Sequence, residues 1–170
     1  PPRPRFLSGS SHRPQPVPAA DPPDTLLGAD NRGECWRDLG DPDRAIALHR
    51  AALQGLRQRL GDDQEWTLGA AYHLVRAYSQ KGDIDAMLQL ARETLPHCEV
   101  TFGTDDHRTL DLRSAIASAA LAKGEFAAAE QQYRAIVATL RTSRAAADAR
   151  VVTQEQHLAV AALRQGRTDA

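Results

Sequence analysis

Leu60-Gly61-Asp62-Asp63-Gln64-Glu65-Trp66-Thr67-Leu68 returns 42 residues later as Phe102-Gly103-Thr104-Asp105-Asp106-His107-Arg108-Thr109-Leu110, with Gly, Asp, Thr and Leu in register. One further step back lands on Asp24-Thr25-Leu26, and one step forward on Arg150-Val151-Val152. A second landmark keeps the same spacing: Gly40, Gly82, Gly124 and Gly166, the first three followed by an acid at Asp41, Asp83 and Glu125. Two landmarks on one period of 42 establish internal repetition, and repeats of that length build stacked arrays in which each unit packs only on its neighbours.

Each unit divides into two helical patterns around its glycine. Leu68, Ala71, Leu74, Val75 and Tyr78 recur at three- and four-residue steps before Gly82, and Ile84, Met87, Leu88, Ala91 and Leu95 do so after it. Glycine at the break suits a helix C-terminus that needs a left-handed residue, and the acid after it favours the next helix's N-terminus. The longer link carries Asp21, Asp63 and Asp105 in register, each expected to cap a first helix. First helices are therefore expected near 25–39, 67–81, 109–123 and 151–165, and second helices near 42–59, 84–100 and 126–142, with no strand signal anywhere. The fold class expected is all-α, a solenoid of antiparallel helix pairs.

The 23 N-terminal residues differ. Eight of the ten prolines lie there, so residues 1–23 read as an extended linker or tail, with a Pro-rich docking peptide as the alternative. Residues 24–170 form the solenoid, in units of about 25–66, 67–108 and 109–150 and a partial 151–170. The 170 residues are 42% hydrophobic and 25% charged, with a formal net charge of -1. That balance argues against an electrostatic grip on nucleic acid or on anionic lipid, and no apolar run is long enough for a membrane span. Thirty alanines against eight aromatic residues suit closely packed helices. Cys35 and Cys98 show no metal-ligand spacing and are expected as free, mostly buried thiols in a cytoplasmic protein.

With these residues in place, the chain resembles the tetratricopeptide repeat. Small residues stand seven before the turn glycine (Gly33, Val75, Ala117, Ala159), the aromatic slot four before it holds Trp36 and Tyr78, and Ala45, Met87 and Ala129 stand five after it. The ninth residue after it is His49, Ala91 or Tyr133. The period of 42 and the Leu-Gly-x-Asp-x-x-x-Thr-Leu link look like the kinesin light chain subtype, which is also common in actinobacterial regulators; the resemblance spans roughly residues 21–168. It implies a right-handed solenoid whose first helices line a concave groove. The inward positions would be ten, nine, six and three residues before each glycine. In the first unit these are Asp30, Asn31, Glu34 and Arg37, and in the second Tyr72, His73, Arg76 and Ser79. The third offers Ser114, Ala115, Ser118 and Leu121, and the last helix Gln156, His157, Val160 and Leu163. The Asn pairs with which that subtype clamps a peptide backbone are reduced to Asn31.

No Walker-type loop, G-x-S-x-G or H-E-x-x-H is present, so neither catalysis nor a cofactor nor a metal is expected. Asp62-Asp63 and Asp105-Asp106 read as caps, His49 as a packed residue, and His107 as a turn residue. His97 and Cys98 are adjacent on a helix and point apart. The function expected is a non-catalytic interaction module that binds a peptide or partner domain in the groove. The alternatives are a regulatory sensor segment of a larger signalling ATPase or transcriptional activator, and a scaffold that self-assembles through an edge exposing Val160 and Leu163. Protein is the expected partner, including other domains of a longer parent chain.

Overall fold

In a computed structural model, residues 23–142 and 149–166 are described. They form α1 (Pro23–Asp38), α2 (Pro42–Leu60), α3 (Glu65–Lys81), α4 (Ile84–Phe102), α5 (His107–Ala122), α6 (Phe126–Thr142) and α7 (Ala149–Arg164). All seven expected helices are present within a few residues of their expected ends, and no strand occurs among the described residues. The first 22 residues and Asp21 with them, the link at 143–148 and the last four residues lie outside the described part.

The breaks between paired helices form as the glycines require. Gly40, Gly82, Gly124 and Gly166 all have φ between 76° and 81°, the left-handed region that other residues rarely adopt. Asp41 and Asp83 then cap the following helices, their carboxylates accepting from the backbone N–H of Arg44 and Ala86. The caps expected in the longer link are displaced by one residue or absent. Asp106, not Asp105, accepts from the Arg108 N–H at the start of α5. Asp63 pairs with His97 across the link, and Asp62 with Arg57, while Gln64 occupies the α3 cap position without a side-chain bond. A carboxylate within reach of a basic side chain on an adjoining helix pairs with it in place of a backbone N–H.

Each helix packs on the next in sequence, and α1, α3, α5 and α7 also touch one another in turn. Among the described residues, α2, α4 and α6 make no such contact with one another. Close approach along one side and separation along the other define an inner and an outer face, with the odd-numbered helices inside. The small positions behave as stacking demands: Gly33, Val75 and Ala117 are buried, as are Ala45, Met87 and Ala129, and His49, Ala91 and Tyr133. Ala159, the α7 equivalent of Gly33, is exposed, as are Val160 and Leu163, because no described helix packs on that side of α7. One apolar core runs continuously from α1 into α5, and a second joins α5, α6 and α7 around the fully buried Tyr133. The thiols are both free but not both buried: Cys98 is enclosed, whereas Cys35 faces solvent on α1.

Candidate functional site

The inner face is held by polar rungs that join each unit to the next. Asp30 on α1 stands between two imidazoles: Oδ1 lies 2.6 Å from His49 Nδ1 on α2, and Oδ2 lies 2.7 Å from His73 Nδ1 on α3. One turn further along α1, Glu34 accepts from Arg37 Nε and from Arg76 Nη1, both at 3.0 Å. Gln80 donates to the Arg37 carbonyl at 3.0 Å. At the next joint the Tyr72 hydroxyl donates to Asp111 at 2.8 Å, and at the last the Ser114 hydroxyl donates to Gln154 at 3.1 Å.

These contacts set the electrostatics of the face. Burial alone would raise the Asp30 carboxyl, but hydrogen bonds from His49 and His73 outweigh it and hold the group below the usual carboxylate range. Glu34 is held down in the same way: burial opposes, while Arg37, His73 and Arg76 prevail. Burial together with the neighbouring Asp111 carboxylate raises the Tyr72 phenol well above its usual range, so it remains a donor. The Arg76 guanidinium lies 5.5 Å from the Tyr72 ring centroid, which orients both side chains.

Two hollows open on this face and share Tyr72. The larger, about 370 Å³, lies over α1, α3 and the start of α5, and is bordered by Asp30, Asn31, Trp66, Tyr72, His73 and His107 among others. The second, about 270 Å³, continues over α3, α5 and α7 past Arg76, Ser79, Ser114, Ser118 and His157. Nine of the twelve polar and aromatic residues expected to line a groove border one hollow or the other. Ala115 joins them.

The remaining three stand elsewhere. Glu34 and Arg37 border neither hollow and are paired with each other, Glu34 also accepting from Arg76 and Arg37 donating to Asp38. Gln156 is exposed on α7 outside both, and Gln154, two residues earlier, makes the contact with Ser114. Asp30 borders the larger hollow but is itself only 5% exposed, so its charge serves the seam between units more than the open groove. Sequence reasoning missed Trp66, an indole 58% exposed at the edge of the larger hollow. Its signal was present: Arg108 occupies the equivalent position one repeat on, so the link does not itself require an aromatic there. His107, expected only to shape a turn, also borders this hollow, edge-on to Tyr72 with ring centroids 6.1 Å apart.

Two further hollows lie on the outer side. They open where α2 and α4 diverge over α3; one is bordered largely by Arg, Gln and Glu side chains and the other by a mixture of apolar and polar ones, and Arg57 and Glu93 border both. The adjacent His97 and Cys98 diverge as expected. His97 is paired with Asp63, while burial pushes the Cys98 thiol up to about 11, the opposite of activation.

Stacked antiparallel helix pairs with left-handed glycines every 42 residues define a tetratricopeptide-like solenoid fold. No protein-family model matches the sequence, and no curated protein sequence does so. Solved structures do match in fold. The nearly identical TPR-like repeats of a putative kinesin light chain from Podosopora anserina superpose with a TM-score of 0.74 at 18% identity, over 86% of this chain and 70% of that one. A singly substituted form of the same repeats gives 0.73, also at 18% identity, over 85% and 68%. BtubC (BKLC) from P. vanneervenii gives 0.75 at 12% identity, over 86% of this chain and 59% of that one. No helix among the described residues is long and apolar enough to cross a membrane.

Proposed function

We propose that this chain is a non-catalytic interaction module whose inner face holds an extended peptide segment of a protein partner. The observation that carries this is the pair of adjoining hollows over α1, α3, α5 and α7, with an exposed indole at one end and small polar residues at the other. Exposed aromatics in a concavity are the residues on which binding energy concentrates, since burying one gives large apolar area at low entropic cost. The Asp30 and Glu34 carboxylates are already hydrogen-bonded within the seam, so the segment is recognised less by basic residues than by an apolar side chain seated between Trp66 and Tyr72. Its polar backbone would run on past Arg76, Ser114 and Ser118. The outer hollows follow from helix pairs splaying apart over their neighbour.

The test is selection of peptides from a displayed random library on the folded chain, followed by affinity measurement against two double variants. Tyr72→Ala with Arg76→Ala is expected to weaken selected peptides at least tenfold while circular dichroism stays helical. Arg57→Ala with Glu93→Ala on the outer side should leave them unchanged. Peptides that ignore the inner variant and lose affinity for the outer one would place the site on the other face.

Self-association is a second reading, favoured by the exposed Val152, Val160 and Leu163 on α7. Light scattering at high concentration tests it, and a strict monomer would count against it.

A further inference from the structure

The seam between the first and second units holds more than a rung. Asp30, His49 and His73 come from three different helices, and one ligand atom from each lies within 4.8 Å of the others. The solenoid does not require such a group. One repeat on, the same three positions are Tyr72, Ala91 and Ala115, and two repeats on they are Ser114, Tyr133 and His157. Those joints stack equally well without an ionisable triad, and at the last of them Tyr133 lies against His157 with ring centroids 5.3 Å apart. The first joint is also shaped around its imidazole. A Cβ on Gly33 would fall 2.5–2.8 Å from three atoms of the His49 ring.

Hydrogen-bond accounting leaves one atom unmatched. A carboxylate only accepts, so with Asp30 bonded to both imidazoles each Nδ1 carries a hydrogen. In a neutral His49 ring, Nε2 is then a bare lone pair. It is fully enclosed, has no donor, and faces Glu34 Oε1 at 3.6 Å. A metal ion on Nδ1 reverses the tautomer. Nε2 then bears the hydrogen and points it at a carboxylate already fixed by Arg37 and Arg76, the outer arrangement that commonly orients a ligating histidine.

We propose that Asp30, His49 and His73 bind a divalent first-row transition ion, Zn²⁺ foremost, leaving a further coordination position open to the inner-face hollow. Two imidazoles and one carboxylate suit zinc and its neighbours, whereas Ca²⁺ and Mg²⁺ prefer all-oxygen sites. The geometry is nearly prepared. Ligand atoms around a tetrahedral zinc stand about 3.3–3.5 Å apart given bonds of about 2.0–2.2 Å, so each imidazole parts from its carboxylate oxygen by less than about 1 Å and the widest pair, within 4.8 Å, closes by no more than about 1.5 Å. Access is from the larger hollow, which Asp30 and His73 border and on which the His73 side chain is 25% exposed. The open position lies on the face proposed to take a peptide, but the site stands on its own residues and is tested without one.

The experiment uses the full chain without a histidine tag, stripped with chelator and titrated with Co²⁺ alone, read by its visible absorption and by displacement with Zn²⁺. One ion per chain is expected. His49→Gln sits in the sealed seam and risks unfolding, so the partly exposed His73→Gln carries the test, with far-UV circular dichroism confirming the fold. It should weaken binding on the order of a hundredfold, and Glu34→Gln by about 10- to 100-fold through the outer hydrogen bond. His97→Gln, in the exposed pair with Asp63, should bind as the parent does. A parent chain that takes up no ion would overturn the site and leave the triad a proton-filled hydrogen-bond network. So would uptake that survives His73→Gln or disappears with His97→Gln.

Discussion

Replacing Gly33 with alanine tests the tightness of the first seam, and the structure supplies both the sign and the size. The new methyl carbon would meet His49 Cε1, Nε2 and Nδ1 at 2.5, 2.7 and 2.8 Å, where ordinary contact begins near 3.4 Å. The ring has no free direction in which to yield. It is fully buried, and its Nδ1 is held 2.6 Å from Asp30. Overpacking costs about 1–3 kcal/mol. Displacing the ring also forfeits a hydrogen bond to a charged group, worth about 1.5–3 kcal/mol. Against this, alanine is favoured over glycine inside a helix by about 1 kcal/mol. The net expectation is destabilisation of about 1.5–5 kcal/mol. For a chain of this size that lowers Tm by about 3–20 °C. Gly28→Ala on the same helix is the matched control. Nothing lies within 4 Å of its Cβ position, so only the helix preference remains and Tm should rise by about 1–4 °C. Repeat arrays can unfold piecewise, so both variants are followed with one probe, the far-UV ellipticity. If Gly33→Ala matches or exceeds the parent in Tm, the seam is not closed around His49.

Asp106→Ala should cost about 1 kcal/mol through loss of the α5 cap, with Asp105→Ala near neutral, as measured by urea denaturation. The pH dependence has a definite sign. Burial opposes ionisation of Asp106, but its bonds to Arg108 prevail and hold it below its unfolded value of 3.8. Its contribution is therefore complete above pH 3.8 and is lost as pH falls through the lower folded value. Asp106→Asn removes that titration, so the stability gap between parent and variant should narrow on acidification below pH 3.8, and a gap that widened there would contradict the assignment. Thiol labelling separates the two cysteines. At neutral pH one equivalent of an alkylating reagent should react with exposed Cys35, and the second only after unfolding, because Cys98 is enclosed and its thiol is pushed up to about 11. Two equivalents taken up promptly by the folded chain would show that the helices packed on α4 do not cover Cys98.

Apolar periodicity made the helices legible because a buried face recurs within each unit. Ala45, Met87 and Ala129 meet the same kind of surroundings every 42 residues, so one-dimensional spacing suffices to place them. Polar pairing depends on a different quantity, the distance between stacked helices. Lys81 and Lys123, the only lysines, lie one period apart and reach back to Asp43 and Asp85, each 38 residues earlier. As a composition they said nothing, and as a repeated cross-joint pair they are part of the stacking. The same holds for Asp30 with His73 and for Glu34 with Arg76, 43 and 42 residues apart. These residues carry inner-face offsets, and those offsets correctly put them on the inner helices. Only the stacked geometry shows that Asp30 and Glu34 face partners in the next unit as well as the groove.

That difference relocates the surface that the proposed partner segment would use. A carboxylate already bonded to two imidazoles, or to two guanidinium groups, has little attraction left for an incoming basic side chain, because breaking those bonds costs as much as the new one returns. The first joint is therefore stiff and self-compensated. Moving along the inner face, the rungs thin from two acids with four partners to the Tyr72–Asp111 and Arg108–Glu65 contacts and then to a neutral Ser114–Gln154 bond. Where the rungs thin, Ser118 bonds only within its own helix, to the Ala115 carbonyl, and Ser79 is exposed. The larger hollow adds Trp66, whose indole would gain by being covered. The proposed recognition would accordingly be centred on Trp66, Tyr72 and Ser118, downstream of the charged seam, with that seam as the wall against which a segment would be oriented.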